Sequence, residues 1–291
     1  MPWGQAVVNW LLVGSFYAAV ALGFSLVWGI MNIVNLAHGS FVLVGAYTTF
    51  WIFTSPLHLD PFLGIPISML VLFVLGWIVQ YVAINRIIRA PFLVTFMLTF
   101  GLDLLIADLL QQFFKSDARS VNVAYSGAGL NFGSTHIAFD QLIAAAIALL
   151  LTVALSLFLE RTRTGNAILA TGMDRDAARL MGISIRRIYA LTFGIGAALA
   201  GAAGAMLAEL KSFDPSQGGS FTLSAFVIVI LGGLGTPWAV IAGGLVFGLA
   251  ETVAPLISWI GPGYNNVIAF LLLVAVLVLR PKGLLGKAFY S

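Results

Sequence analysis

Residues 6 to 30, AVVNWLLVGSFYAAVALGFSLVWGI, run for 25 residues without one charge. About 20 such residues in a helix cross a hydrocarbon core. With no water at that depth, only helices and closed barrels satisfy their own backbone groups. A barrel would show short segments of alternating polarity, and none appear. The chain therefore reads as an all-α polytopic membrane protein. Its composition agrees: 60% of residues are hydrophobic and only 9% charged, against about 25% charged in an ordinary soluble domain. That balance excludes a soluble globular domain and offers no basic surface for nucleic acid.

The N-terminus lacks a basic region, and the first apolar run is too long for a signal h-region, so it reads as a span. Cysteine is absent, which removes disulfide and thiolate chemistry. Apolar runs between polar breaks place spans near 6–30, 37–54, 62–84, 92–112, 139–159, 189–209, 221–235, 237–256 and 264–280. Residues 1–291 read as a single transmembrane domain.

Cytoplasmic loops retain Lys and Arg. The segment 161–188 holds Arg161, Arg163, Arg175, Arg179, Arg186 and Arg187. The link 85–91 holds Arg86 and Arg89, and the tail holds Arg280, Lys282 and Lys287. All three are expected inside, and the nearly neutral links 55–61 and 113–138 outside. An even number of crossings must then separate 161–188 from the tail, so 221–256 contains two passes broken at GGLGTP. The first, about 15 residues long, is short for a span and reads as a half-helix or a tilted one. Counting back puts the N-terminus outside with nine crossings; eight spans with one re-entrant run is the alternative.

Two polar breaks stand out. In MNIVNLAHGSFVLVGAY, residues 31–47, Asn32, Asn35 and His38 precede Gly39 in a region without a charge. One reading is a cytoplasmic turn with Asn-capped helix ends. The other is a broken helix whose freed backbone groups line a cavity, as intramembrane His and Asn suggest. The second break, near 232–237, has Gly232, Gly233 and Gly235 ahead of Pro237. Here glycine permits positive φ, and proline suits a helix first turn. Broken segments in corresponding places of two halves point to a transport pathway. Gly244 and Gly248, and Gly196, Ala200 and Gly204, repeat at a spacing that permits close helix packing. Asp103, Asp108, Glu209 and Glu251 lie in or near the outer halves of spans. They are either candidates to greet a substrate ammonium or interface acids paired with Lys115 or Lys211.

The longest inner insertion contains TGMDRDAARLMGISIRRIYALTF. Asp174 to Met181 reads as a short helix, with Asp176 in the first turn favouring the helix dipole and Gly182 ending it. Ala177, Leu180 and Met181 form one side, and Arg175 and Arg179 the other. A small apolar face with basic edges suits docking into a partner's groove; a plain surface helix is the other possibility.

Here a family resemblance becomes specific. Asp176-Ala177-Ala178-x-x-x-Gly182 resembles the EAA…G loop of ABC-importer permeases, with Asp in place of Glu. AARLMGISIRRIYALTFGIGAALAGAAGAM, NIVNLAHGSFVLVGAY and VILGGLGTPWAVIAGG resemble, in family order from about residue 20 to 255, signatures of LivH-type permeases of branched-chain (hydrophobic) amino acid importers. Urea and short-amide importers share these signatures. The resemblance implies a LivM-like second permease, two ATPase subunits carrying ATP and Mg, a periplasmic binding protein and a bacterial inner-membrane location. It also implies that 161–188 is a coupling loop, in which Asp176, Ala177, Ala178, Arg179 and Gly182 meet the ATPase. Asn32, Asn35, His38 and Gly39 are the candidates for the pathway or gate, with Gly232, Gly233 and Gly235 as hinge or packing positions. No catalytic or metal-binding residues are expected, and no cofactor in this chain. No G-x-x-x-x-G-K-[ST] phosphate cradle is present, and GLLGK from Gly283 has the wrong spacing. A self-sufficient small-solute channel, a proton-coupled carrier and a purely structural membrane subunit are the rivals.

Overall fold

Every apolar run becomes a helix in the computed structural model, which describes residues 3–56, 60–87, 90–121, 123, 127–133, 135–253, 265–280 and 283–285. In chain order the helices are α1 Trp3–Met31, α2 His38–Thr54, α3 Pro61–Val79, α4 Asn85–Ile87, α5 Phe92–Phe114, α6 Phe139–Arg161, α7 Arg163–Met173, α8 Arg175–Leu180, α9 Ile185–Leu210, α10 Gly218–Gly232, α11 Pro237–Val253 and α12 Asn265–Leu279. A π turn over Gln80–Ile84 joins α3 to α4. An antiparallel hairpin, β1 Gly129–Phe132 with β2 Thr135–Ala138, occupies the 113–138 link. Arg89, Lys282, Lys287 and residues 254–256 and 264 of the expected spans lie outside the described residues.

Helix α9 is the hub, with nearly every residue from Ile188 to Glu209 buried. Its small residues are what allow this. A Cβ at Gly45 would stand 2.6 Å from the Gly201 carbonyl oxygen, and one at Gly196 would meet the Val27 side chain at 2.5 Å. Without hydrocarbon–water contrast to drive association, backbone approach of this kind supplies the packing. The lipid-length helices α3, α5 and α6 form the periphery, and large apolar side chains such as Leu70, Met97 and Leu150 remain exposed on them.

Neighbours fix the directions. Gln5 of α1 donates to the His136 carbonyl of the hairpin at 2.9 Å, while a Cβ at Gly172 of α7 would meet Ile30 near α1's other end. The hairpin and the 161–188 segment therefore lie at opposite ends of the bundle. Arg86, Arg161, Arg163, Arg175, Arg179, Arg186, Arg187 and Arg280 fall at the second end, which by the positive-inside distribution is cytoplasmic. Leu284 and Leu285 donate to the Leu231 and Gly232 carbonyls, both at 2.9 Å, so these two residues also lie at that end.

Candidate functional site: two half-helices and an inner docking helix

Both breaks expected from the sequence are present, and their depths differ. Helix α1 ends where Asn32 turns left-handed at φ 54 and donates to the Trp28 carbonyl at 3.0 Å. Asparagine is one of the few residues with a Cβ that accepts this conformation. The chain then climbs back: His38, the first residue of α2, places Nε2 at 2.8 Å from the Val20 carbonyl oxygen. Val20 lies eleven residues before Met31 in α1, a depth of about 16 Å at 1.5 Å per residue. Helix α2 is therefore a half-helix that starts inside the bundle and runs outward.

A second half-helix meets it. After α9 the chain dips inward, with Phe213 pairing to Arg119 through backbone bonds of 2.8 and 2.9 Å and its ring against Tyr47 at 5.0 Å. Asp214 accepts from the Ser216 amide at 2.9 Å and from Gln217 at 2.7 Å, capping the 3-10 turn Pro215–Gln217. Helix α10 then starts at Gly218 and runs toward the cytoplasm. Thr222 ties the two starts together: its hydroxyl accepts from the Gly39 amide at 2.8 Å and donates to the Leu36 carbonyl at 2.9 Å. Gly39 leaves no room for a Cβ against the Gly218 carbonyl. Two helix N-termini thus abut at mid-depth, as in transport folds with discontinuous helices.

The remaining candidates divide by depth. His38 is buried, edge-on to Phe24 with ring centroids 5.4 Å apart. Since a carbonyl only accepts, Nε2 carries the proton. Asn35 is buried and accepts from the Ala37 amide at 3.2 Å, an Asx turn that opens α2. Asn32 is exposed at the inner end. Gly232, Gly233 and Gly235 sit at the cytoplasmic turn between α10 and α11, not at the junction. There Gly233 and Gly235 take φ 95 and 118, and Gly232 packs directly on the Ala239 carbonyl. The deep counterpart of 31–38 is instead 211–218. Its signal, DPSQGG at 214–219, was available: an Asp-Pro helix start followed by paired glycines.

A groove of about 520 Å³ opens beside the junction, lined among others by Phe24, Phe96, Met97, Phe100, Leu223 and Phe226. Its polar contributions come from Thr222 and Asp103. Ser40, in the first turn of α2, donates to Asp103 Oδ1 at 2.6 Å.

On the inner face, Asp174 caps α8, accepting from the Asp176 amide at 2.8 Å and the Ala177 amide at 3.0 Å. Gly182 ends the helix at φ 82, its amide donating to the Arg179 carbonyl at 3.0 Å while Ile183 donates to Ala178 at 3.1 Å. Ala178 is buried against the body, whereas Leu180 and Met181 are 89% and 83% exposed. Beside them a cleft of about 720 Å³ is walled by Arg175, Asp176, Arg179, Ile183, Arg186 and Tyr189. Arg186 stacks 4.2 Å over the Tyr81 ring.

Half-helices meeting inside a small-residue bundle, with a capped helix offered at the inner face, define a multi-pass membrane transport subunit. The comparisons give the family. The model of the family described as branched-chain amino acid transport system, permease component, matches residues 6–277, and the chain belongs to that family. It is 32% identical to the high-affinity branched-chain amino acid transport system permease protein BraD of Pseudomonas aeruginosa, over 97% of this chain and 95% of that protein. It is 30% identical to the corresponding permease LivH of Salmonella typhimurium, with the same coverage. Similarity extends to LivM of Escherichia coli, 28% identical over 92% of this chain and 67% of that protein. No solved structure matches at a significant level.

Proposed function

We propose that this chain is the membrane-spanning permease subunit of an importer that moves branched-chain or other hydrophobic amino acids into the cytoplasm. It works in the bacterial inner membrane beside a LivM-like second permease, receives substrate from a periplasmic binding protein, and is driven by two separate ATPase subunits that carry ATP and Mg. Helix α8 carries the reading. A six-residue helix capped at both ends, projecting Leu180 and Met181 into water, has no stabilising use for the isolated chain and suits a partner's groove. Asp176, Ala177, Ala178, Arg179 and Gly182 form that coupling element. Asn32, Asn35, His38 and Gly39, together with the hinge and packing glycines Gly232, Gly233 and Gly235, belong to the pathway. The aromatic and aliphatic groove walls favour a hydrophobic side chain over urea or a short amide.

The test is purification of the tagged chain in mild detergent with identification of what accompanies it, followed by reconstitution. Recovery of two ATPase chains and a second permease, with ATP-dependent leucine uptake once the binding protein is added, is the expected result. A chain that purifies alone and passes a small solute without ATP would establish a channel instead.

A further inference from the structure

Asp103 is the twelfth of the 23 residues of α5, so its carboxylate lies at the centre of a span. Charged groups at that depth face a protein interior or a wet cavity and find a partner there. Among the described residues its one hydrogen-bond partner is Ser40, and the one salt bridge joins Arg119 to Asp117 elsewhere. Among the described residues, no Lys or Arg lines the groove that Asp103 faces. The volume of that groove falls within the range of about 300–1,000 Å³ usual for small-molecule sites, and apolar side chains form most of its wall. Such a wall with one negative group complements a molecule that carries one cationic head and an aliphatic body.

We propose that Asp103 is the substrate-contacting residue that receives the α-ammonium group of the amino acid as it passes the junction of α2 and α10. Phe96, Met97, Phe100 and Phe226 take the aliphatic side chain. Ser40 is a positioning residue: it holds Oδ1 and ties the carboxylate to the first turn of α2, so any movement of the half-helix moves the ammonium site. Gly219, at the start of α10, leaves open space where a Cβ would stand, which keeps that side of the groove clear. This inference rests on the amino acid importer reading.

The assembled complex in proteoliposomes, with its binding protein and radiolabelled leucine, tests it through Asp103→Asn, Asp103→Glu and Ser40→Ala. Asp103→Asn should lower leucine uptake about tenfold or more while binding-protein-stimulated ATP hydrolysis stays within about twofold of wild type, the signature of a lost contact along the route. Asp103→Glu, which keeps the charge, should recover much of the uptake, and Ser40→Ala should fall between the two. Equal uptake by wild type and Asp103→Asn overturns the inference. So does loss of the second permease from the purified Asp103→Asn complex, which would assign the carboxylate to the subunit contact. A wild-type complex that hydrolyses ATP but imports no branched-chain amino acid would sink the importer reading itself.

Discussion

Gly39 and Gly218 touch backbone to backbone at the point where α2 and α10 begin, with no room for a Cβ between them. Two helix starts brought this close place unpaired amide groups at mid-depth, and the Thr222 hydroxyl resolves part of that problem by bonding both Gly39 and Leu36. Replacing it with an isosteric apolar group isolates the effect. Thr222→Val should cost about 1–3 kcal/mol for each group left unpaired, lower the melting temperature of the purified complex and reduce uptake severalfold. Unchanged stability and uptake would mean that Thr222 does not hold the junction.

His38 anchors α2 to the Val20 carbonyl. His38→Ala removes the donor and opens a cavity beside Phe24, so uptake should fall while the complex still assembles. His38→Gln keeps a donor and should retain more activity than the alanine variant. If both variants transport like wild type, His38 only fills space.

Gly182 ends α8 at a positive φ that costs a residue with a Cβ about 1–2 kcal/mol. Gly182→Val should leave membrane insertion intact and abolish ATP-driven uptake, because the turn that presents Leu180 and Met181 is rebuilt. Insertion and uptake are read separately, by membrane fractionation and by vesicle assay. Normal uptake would remove α8 from the coupling route.

The sequence reports these features unevenly, for physical reasons. Apolar length marks α1 and the other spans almost to their ends, because a hydrocarbon core tolerates few polar side chains. Asp174 and Gly182 mark the limits of α8 through ordinary capping chemistry. Depth is the missing quantity. Nothing local in Asn32–His38 says that His38 climbs to Val20, since that follows from how α2 packs on α9 through Gly45 and Gly201. Asp214-Pro215 and the paired glycines mark a helix start at 211–218, but not its depth: the segment looks like an outer link until Tyr47 is set against Phe213 and Ser40 against Gly218. The amphipathic α7 and the β1–β2 hairpin escaped for a related reason: neither is needed to cross the membrane, so hydropathy is silent about them.

If substrate passes the α2–α10 junction, that junction borders a water-filled route that opens during the ATP cycle. Gly219 offers the most direct probe, because its missing side chain faces open space and the chain has no cysteine of its own. Gly219→Cys in the reconstituted complex should react with a membrane-impermeant, hydrophilic thiol reagent. Its rate should change between the nucleotide-free and ATP-trapped states, and leucine-loaded binding protein should slow it. A thiol that stays unreactive in both states while the variant transports normally would show that the junction is sealed and that substrate takes another route.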